Sequence, residues 1–214
     1  FPTRRVVAIQ HGRPIFNLAA SFQRPEQGLE HQAEMPDVPG PEGLQELTDL
    51  VSESIDKLPD KIRRYMMDRG PFHFRPVEHW SFARPQKHEP IKHVWIRTVD
   101  RLPDDPALHQ NLLAYASDHE LLSASTLPHG LTLARDNVIM ASLDHALWFH
   151  RKVEIDQWLL YAIHSPNASG VRGFSRGQLF TKDGTLVAST AQEGLIRVVT
   201  PGHDKGRSNP REQV

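Results

Sequence analysis

The sequence predicts an α+β fold in which β-strands wrap one long helix. Residues Pro103 to Thr126 carry the chain's main helical pattern. Runs rich in Val, Ile and Phe lie on both sides of it and read as strands. Asp183-Gly184 is a tight-turn signal joining two such runs, so the sheet reads as antiparallel. An antiparallel sheet with one buried helix is an α+β layer arrangement.

The first 23 residues, FPTRRVVAIQHGRPIFNLAASFQ, read as two strands around the turn His11-Gly12. A two-stranded sheet is marginal alone, and the first residue is Phe1 rather than Met, so the chain is expected to be a fragment of a longer protein. Between Arg24 and Pro90 fall nine of the 17 prolines. Gly28 to Gly40 reads as an extended linker. Glu42 to Asp68 has a helical pattern through Leu44, Leu47, Val51, Ile55 and Leu58, broken at Pro59, with a further turn of helix over Ile62 to Met67. From Phe72 a second unit begins, with strands at Phe74–His79 and His93–Val99. Asp104 or Asp105 caps the long helix and Pro106 takes its first position. Leu108, Leu112, Tyr115, His119 and Leu122 then fall on one face. That face places Asp118 at its edge, as an acid buried beside the core stripe, with two sheet layers around the helix. After a turn at Pro128-His129-Gly130, strands follow at Val138–His150, Trp158–Ser165, Arg172–Phe180 and Thr185–Val199. The chain therefore divides into residues 1–28, a linker over 29–71, a second unit over 72–200 and a polar tail over 201–214. Arg4, Gly12, Ile15-Phe16 and Ala20 echo the spacing of Arg176, Gly184, Leu186-Val187 and Ala191, which points to two copies of one fold.

Composition narrows the chemistry. A formal net charge of −1 and the absence of a basic block argue against nucleic-acid binding. There is no cysteine, which removes disulfides, thiol nucleophiles and thiolate metal sites. No apolar run approaches the ~20 residues of a membrane span, and a cytoplasmic location is the default expectation. Thirteen histidines raise the question of a metal. No H-E-x-x-H occurs, and His145 and His150, five apart in one predicted strand, face opposite sides, so the expectation is no metal and no cofactor. Gly173-Phe174-Ser175-Arg176-Gly177 matches G-x-S-x-G, but a nucleophile elbow needs a helix after the serine, and here strand continues. Asn167-Ala168-Ser169 is a formal glycosylation sequon.

Taken alone, Asp118 reads as a carboxylate bonded to solvent or a neighbouring strand, Ser142 as a small strand residue, and Gln192 as a sheet-face amide. The motifs around them say more. YASD at Tyr115–Asp118, SLDHALWFH at Ser142–His150 and ASTAQEG at Ala188–Gly194 resemble the acyl-CoA thioesterase II family, choloyl-CoA thioesterase-like. RRVVAIQHGRPIF, ASFQ and EHQAEMP near the start resemble it too, so the likeness runs from Phe1 to about Arg197. The resemblance implies a double hotdog, each unit a sheet wrapped round a helix. Residues 1–28 would then be the end of a first unit that is incomplete in this chain. It also implies a fatty acyl-CoA substrate, a role in lipid metabolism and a homo-oligomer. The family's catalytic Asp falls on Asp118, its Thr or Ser on Ser142 and its Gln on Gln192.

Elementary chemistry fits those roles. A thioester carbonyl is electrophilic and its thiolate leaves well, so hydrolysis needs chiefly a positioned water. A carboxylate takes the water's proton while a hydroxyl and an amide orient it. A backbone N–H near the helix N-terminus would polarise the carbonyl. Strand parity puts Asp144, not His145, on the side of Ser142, so either Asp144 is a second acid in that layer or a bulge intervenes. Two other readings stand beside this one. The first is a hotdog hydratase or dehydratase, for which Asp105-Pro106-Ala107-Leu108-His109 loosely approximates an Asp–His loop. The second is a non-catalytic acyl-CoA-binding module.

Overall fold

Alternation of side chains between two covered faces organises the larger sheet, whose central strands bury Val94, Trp95 and Ile96, and Leu159, Leu160 and Tyr161, in succession. In the computed structural model, which describes residues 1–52, 60, 63–64, 70–78, 86–132 and 137–199, the chain divides into two compact units, Phe1–Gln32 and Ala33–Val214. The first is the expected hairpin. Strands β1 (Thr3–Gln10) and β2 (Arg13–Ser21) pair antiparallel, and positive φ at His11 and Gly12 makes the turn.

The second unit begins with a short helix α1 (Leu47–Ser52). Strands β3 (Phe72–Pro76), β4 (Ile91–Thr98), β5 (Val138–Ser142), β6 (Ala146–Phe149), β7 (Leu159–Ser169), β8 (Arg172–Thr181) and β9 (Leu186–Val198) follow. They form one seven-stranded sheet in the order β3-β4-β7-β8-β9-β5, with β6 also on β9. Every pairing in it is antiparallel. The two wrapping layers expected from the sequence are thus a single sheet, because β9 carries β8 on one edge and both β5 and β6 on the other. Its inner face presents Val94, Ile96, Leu159, Tyr161, Ile163 and Leu179 to the helical layer, and its outer face presents Trp95, Leu160 and Phe180. Period-two alternation does this without further instruction. Met35, Val38 and Leu44 pack on that outer face, where Trp95 Nε1 donates to the Pro39 carbonyl at 2.8 Å. The Pro-rich stretch therefore acts as cladding for the sheet.

The helical layer departs from the sequence expectation in two ways. Helix α2 spans only Pro106–Ala116, and a 3-10 segment, Leu122–His129, continues after a turn. The buried stripe is His109, Leu113 and Ala116, one position over from the predicted face, and Tyr115 is 60% exposed. The start of the helix is as expected. Asp105 caps it by accepting from the amides of Ala107 and Leu108 at 3.0 and 3.4 Å, and Pro106 occupies the first turn.

Strand β8 explains the G-x-S-x-G match. Gly173, Ser175 and Gly177 share the inner face, where a Cβ on Gly173 would lie 2.3 Å from Ser125 Oγ and one on Gly177 2.2 Å from Tyr161 Cε2. The glycines are clearance for the 3-10 segment and for a tyrosine ring. Ser175 is fully buried mid-strand, with no exposed elbow. The predicted strand Val138–His150 is broken at residues 143–145. The predicted turn of helix over Ile62–Met67, the end of the strand at His79 and the 201–214 tail lie wholly or partly outside the described residues.

Candidate active site

Asp118 lies two residues past the end of α2, in the turn that precedes the 3-10 segment. It is exposed rather than buried beside the core stripe, because the helix stops before that turn. The stop is held from below. Tyr161 of β7 donates its phenol proton to the Ser117 carbonyl at 2.9 Å and meets Thr190 Oγ1 at 2.8 Å. Burial pushes the Tyr161 phenol well above its ordinary pKa, so it remains a donor.

Two strands deliver partners to the carboxylate. Ser142, the last residue of β5, donates from Oγ to Asp118 Oδ1 at 3.1 Å. Gln192, in the middle of β9 and fully buried, donates from Nε2 to the same Oδ1, and its Nε2 lies 3.1 Å from Ser142 Oγ. Among the described residues, both of these side-chain bonds to the exposed carboxylate fall on Oδ1 and neither on Oδ2. The three sequence-predicted residues thus meet around one oxygen atom.

The break between β5 and β6 decides which neighbour joins them. Ser142 pairs with Gly194 and Ala146 with Ala191, so three residues on one strand oppose two on the other. The amides of Leu143 and Asp144 both donate to the Glu193 carbonyl, at 2.9 and 3.3 Å, as a β-bulge requires. The bulge reverses the parity expected from a continuous strand. Asp144 turns back to accept from the Glu193 amide at 2.8 Å and serves the bulge. His145, which the sequence reading left among packing histidines, comes to the site instead. Its Nε2 is 2.9 Å from Ser117 Oγ and its Nδ1 3.3 Å from Gln192 Nε2. Desolvation lowers its pKa below the ordinary 6.5 despite the nearby carboxylates of Asp118 and Asp144. The only sequence signal for it was its place inside the SLDHALWFH motif.

Two further expectations fail on geometry. The N-terminus of α2 lies at the opposite end of an 11-residue helix from the site, about 16 Å away at 1.5 Å per residue, and its first amides are taken by Asp105. It cannot polarise a carbonyl held near Asp118. The Asp105–His109 pair is also committed elsewhere. His109 is 4% exposed, its Nε2 bonds the Pro103 carbonyl at 3.2 Å and its Nδ1 accepts from the Ile155 amide at 3.2 Å. Both ring nitrogens are spent on backbone, which leaves none for hydration chemistry. Among the described residues, no group of three or more His, Asp or Glu is placed to hold a metal ion, and no helix is long and apolar enough to cross a membrane.

A family model described as acyl-CoA thioesterase matches residues 72–195. "Acyl-CoA thioesterase 2" of Haemophilus influenzae is 37% identical over 192 residues, which cover 90% of this chain and 67% of that protein. "Acyl-coenzyme A thioesterase 8" of Homo sapiens is 36% identical over 206 residues, covering 92% and 64% respectively. The chain spans about two thirds of the length of these relatives. Among solved structures, an acyl-CoA thioesterase II from Mycobacterium marinum superposes with TM-score 0.70 at 41% identity, over 94% of this chain and 70% of that one. A hotdog-fold protein from Alicyclobacillus acidocaldarius superposes with TM-score 0.69 at 18% identity, over 92% and 68%. The sheet curled around α2 and the 3-10 segment is a hotdog.

Proposed function

The chain belongs to the acyl-CoA thioesterase family, and on that premise we propose that it hydrolyses fatty acyl-CoA thioesters, with Asp118, Ser142 and Gln192 as the catalytic group. The observation that carries this reading is the convergence of a hydroxyl and a carboxamide, from two strands, on one oxygen of an exposed carboxylate. The other oxygen of Asp118 accepts a proton from a water molecule as that water attacks the thioester carbonyl carbon. Ser142 and Gln192 hold the carboxylate so that it acts from a fixed position, and their polar atoms border the same water. The tetrahedral intermediate then expels the CoA thiolate, which takes up a proton as the acid is released. Positioning and proton transfer are the two contributions required, the latter on the order of 10²–10⁴ in rate.

Release of free thiol from acyl-CoAs of short to long chain, followed with the unmodified protein and with Asp118→Asn, tests the reading. Thiol release that disappears in the variant supports it. Binding of acyl-CoA without turnover by the unmodified protein would make the chain an acyl-CoA-binding module. Hydration of an enoyl-CoA in place of thiol release would make it a hydratase.

The reading extends to a homo-oligomer. Its support is the exposure of Ile139, Leu143, Trp148 and Phe149 along β5, the bulge and β6, large apolar side chains on one edge of the sheet. Light scattering in solution checks it.

A further inference from the structure

We propose that His145 is a positioning residue of this site, whose unprotonated Nδ1 accepts from Gln192 Nε2 and fixes where that nitrogen stands against Asp118. The proposal rests on the hydrolase reading above. An amide can be turned end for end with almost no change in shape, and only its hydrogen-bond partners distinguish the two orientations. The oxygen side of Gln192 supplies no selection: Oε1 is buried and has no hydrogen-bond partner among the described residues. Selection therefore falls on the nitrogen side, where Asp118 Oδ1, Ser142 Oγ and His145 Nδ1 surround Nε2: the carboxylate, which only accepts, chooses the end, and His145 holds it in place.

His145 contributes only if Nδ1 is an acceptor, and the structure fixes that from a distance. The Ala114 carbonyl can only accept, so Ser117 Oγ gives it its single proton at 3.0 Å. Ser117 Oγ must then accept from His145 Nε2 at 2.9 Å. That places the imidazole proton on Nε2 and leaves Nδ1 bare toward Gln192. One direction of donation runs unbroken to the helix C-terminus: Gln192 to His145, His145 to Ser117, Ser117 to the Ala114 carbonyl. The other Gln192 proton is left for Asp118. The charged groups facing the ring are Asp118, from the turn after α2, and Asp144, from the bulge. A proton on Nδ1 would set donor against donor at Gln192 and push Nε2 from the place where it reaches Asp118, and turning the amide gives no escape, since its oxygen would then face a carboxylate that can only accept.

Two isosteres separate this role from simple packing. Asparagine carries its amide oxygen at the place of Nδ1, whereas glutamine reaches the place of Nε2. His145→Asn is expected to keep kcat for acyl-CoA hydrolysis within about threefold, and His145→Gln to lose on the order of 10²-fold in kcat with KM little changed, the scale of a catalytic group displaced by about 1 Å. Equal activity of the two variants, or an Asn variant as poor as the Gln one, overturns the proposal. Nitrogen NMR of histidine-labelled protein supplies an arm that does not depend on activity or on the variants' stability. The signal lost in His145→Asn should report a neutral Nε2–H tautomer at neutral pH. An Nδ1–H tautomer or an imidazolium there overturns the proposal even if no thioester is hydrolysed. Absence of thiol release by the unmodified protein, with the expected tautomer intact, counts against the hydrolase reading alone.

Discussion

The Tyr161 phenol donates to the Ser117 carbonyl across 2.9 Å, tying the sheet to the residue before Asp118. Tyr161→Phe keeps the ring and removes the bond, leaving a buried carbonyl and the Thr190 hydroxyl without this partner. The expected cost is about 1–3 kcal/mol of stability, read from urea unfolding, accompanied by a fall in kcat because Asp118 follows directly in the chain.

Asp118→Asn preserves shape and removes the proton acceptor: its amide oxygen can take the place of Oδ1 toward the donors of Ser142 and Gln192, and a nitrogen that cannot accept a proton replaces Oδ2. Turnover should drop by about 10²–10⁴, with circular dichroism and melting temperature unchanged. Thiol release gives the first number and thermal scanning the second.

Ser142→Ala deletes a hydrogen bond to a charged oxygen, worth about 1.5–3 kcal/mol, or roughly ten- to hundredfold in kcat. Ser142→Thr retains the hydroxyl at an exposed strand end and should stay within a few-fold of the parent. Parallel assays of the two substitutions isolate the hydroxyl from the side chain's bulk.

Gly177→Ala brings a methyl group to 2.2 Å from Tyr161 Cε2 and 2.7 Å from Thr190 Oγ1. Strand β8 is paired on both edges and has little room to yield. Destabilisation of about 1–3 kcal/mol or more is expected, and a denaturant titration measures it. Loss of activity should accompany it, since the displaced ring is the one that anchors Ser117.

Acid should weaken the fold through its histidines. Burial lowers the pKa of both His145 and His150 below the ordinary 6.5, so between the folded value and 6.5 the unfolded chain binds more protons. Stability from these groups is complete above pH 6.5 and declines as pH falls from there toward the folded pKa. Melting temperatures measured from pH 7.5 to 5 should show that decline, and His145→Asn should make it shallower.

Local signals in the sequence are accurate where local forces decide. The Asp105 cap, Pro106, the His11-Gly12 turn and the Asp183-Gly184 turn all appear as read. The end of α2 is decided by a tertiary bond from Tyr161 to the Ser117 carbonyl, and no pattern of spacing reveals that. Because the helix stops there, Asp118 is exposed and the buried stripe shifts to His109, Leu113 and Ala116. The bulge at residues 143–145 was open to inference only as an alternative to continuous parity, and it exchanges the roles expected of Asp144 and His145. Ser142 and Gln192 had no distinction of their own in the sequence. Family resemblance singled them out, and their convergence on Asp118 depends on β5 and β9 being neighbours, a property of sheet topology rather than of either strand.

With Ser142 and Gln192 both clasping Oδ1, the two oxygens of Asp118 cease to be equivalent. One is held by two donors, and the other, free of both, is left to take an incoming hydrogen. A freely spinning carboxylate would offer either atom from many angles. Here the hydrogen has one address and one line of approach, so even a glutamate, identical in charge but longer by a methylene, would deliver the right functional group to the wrong place.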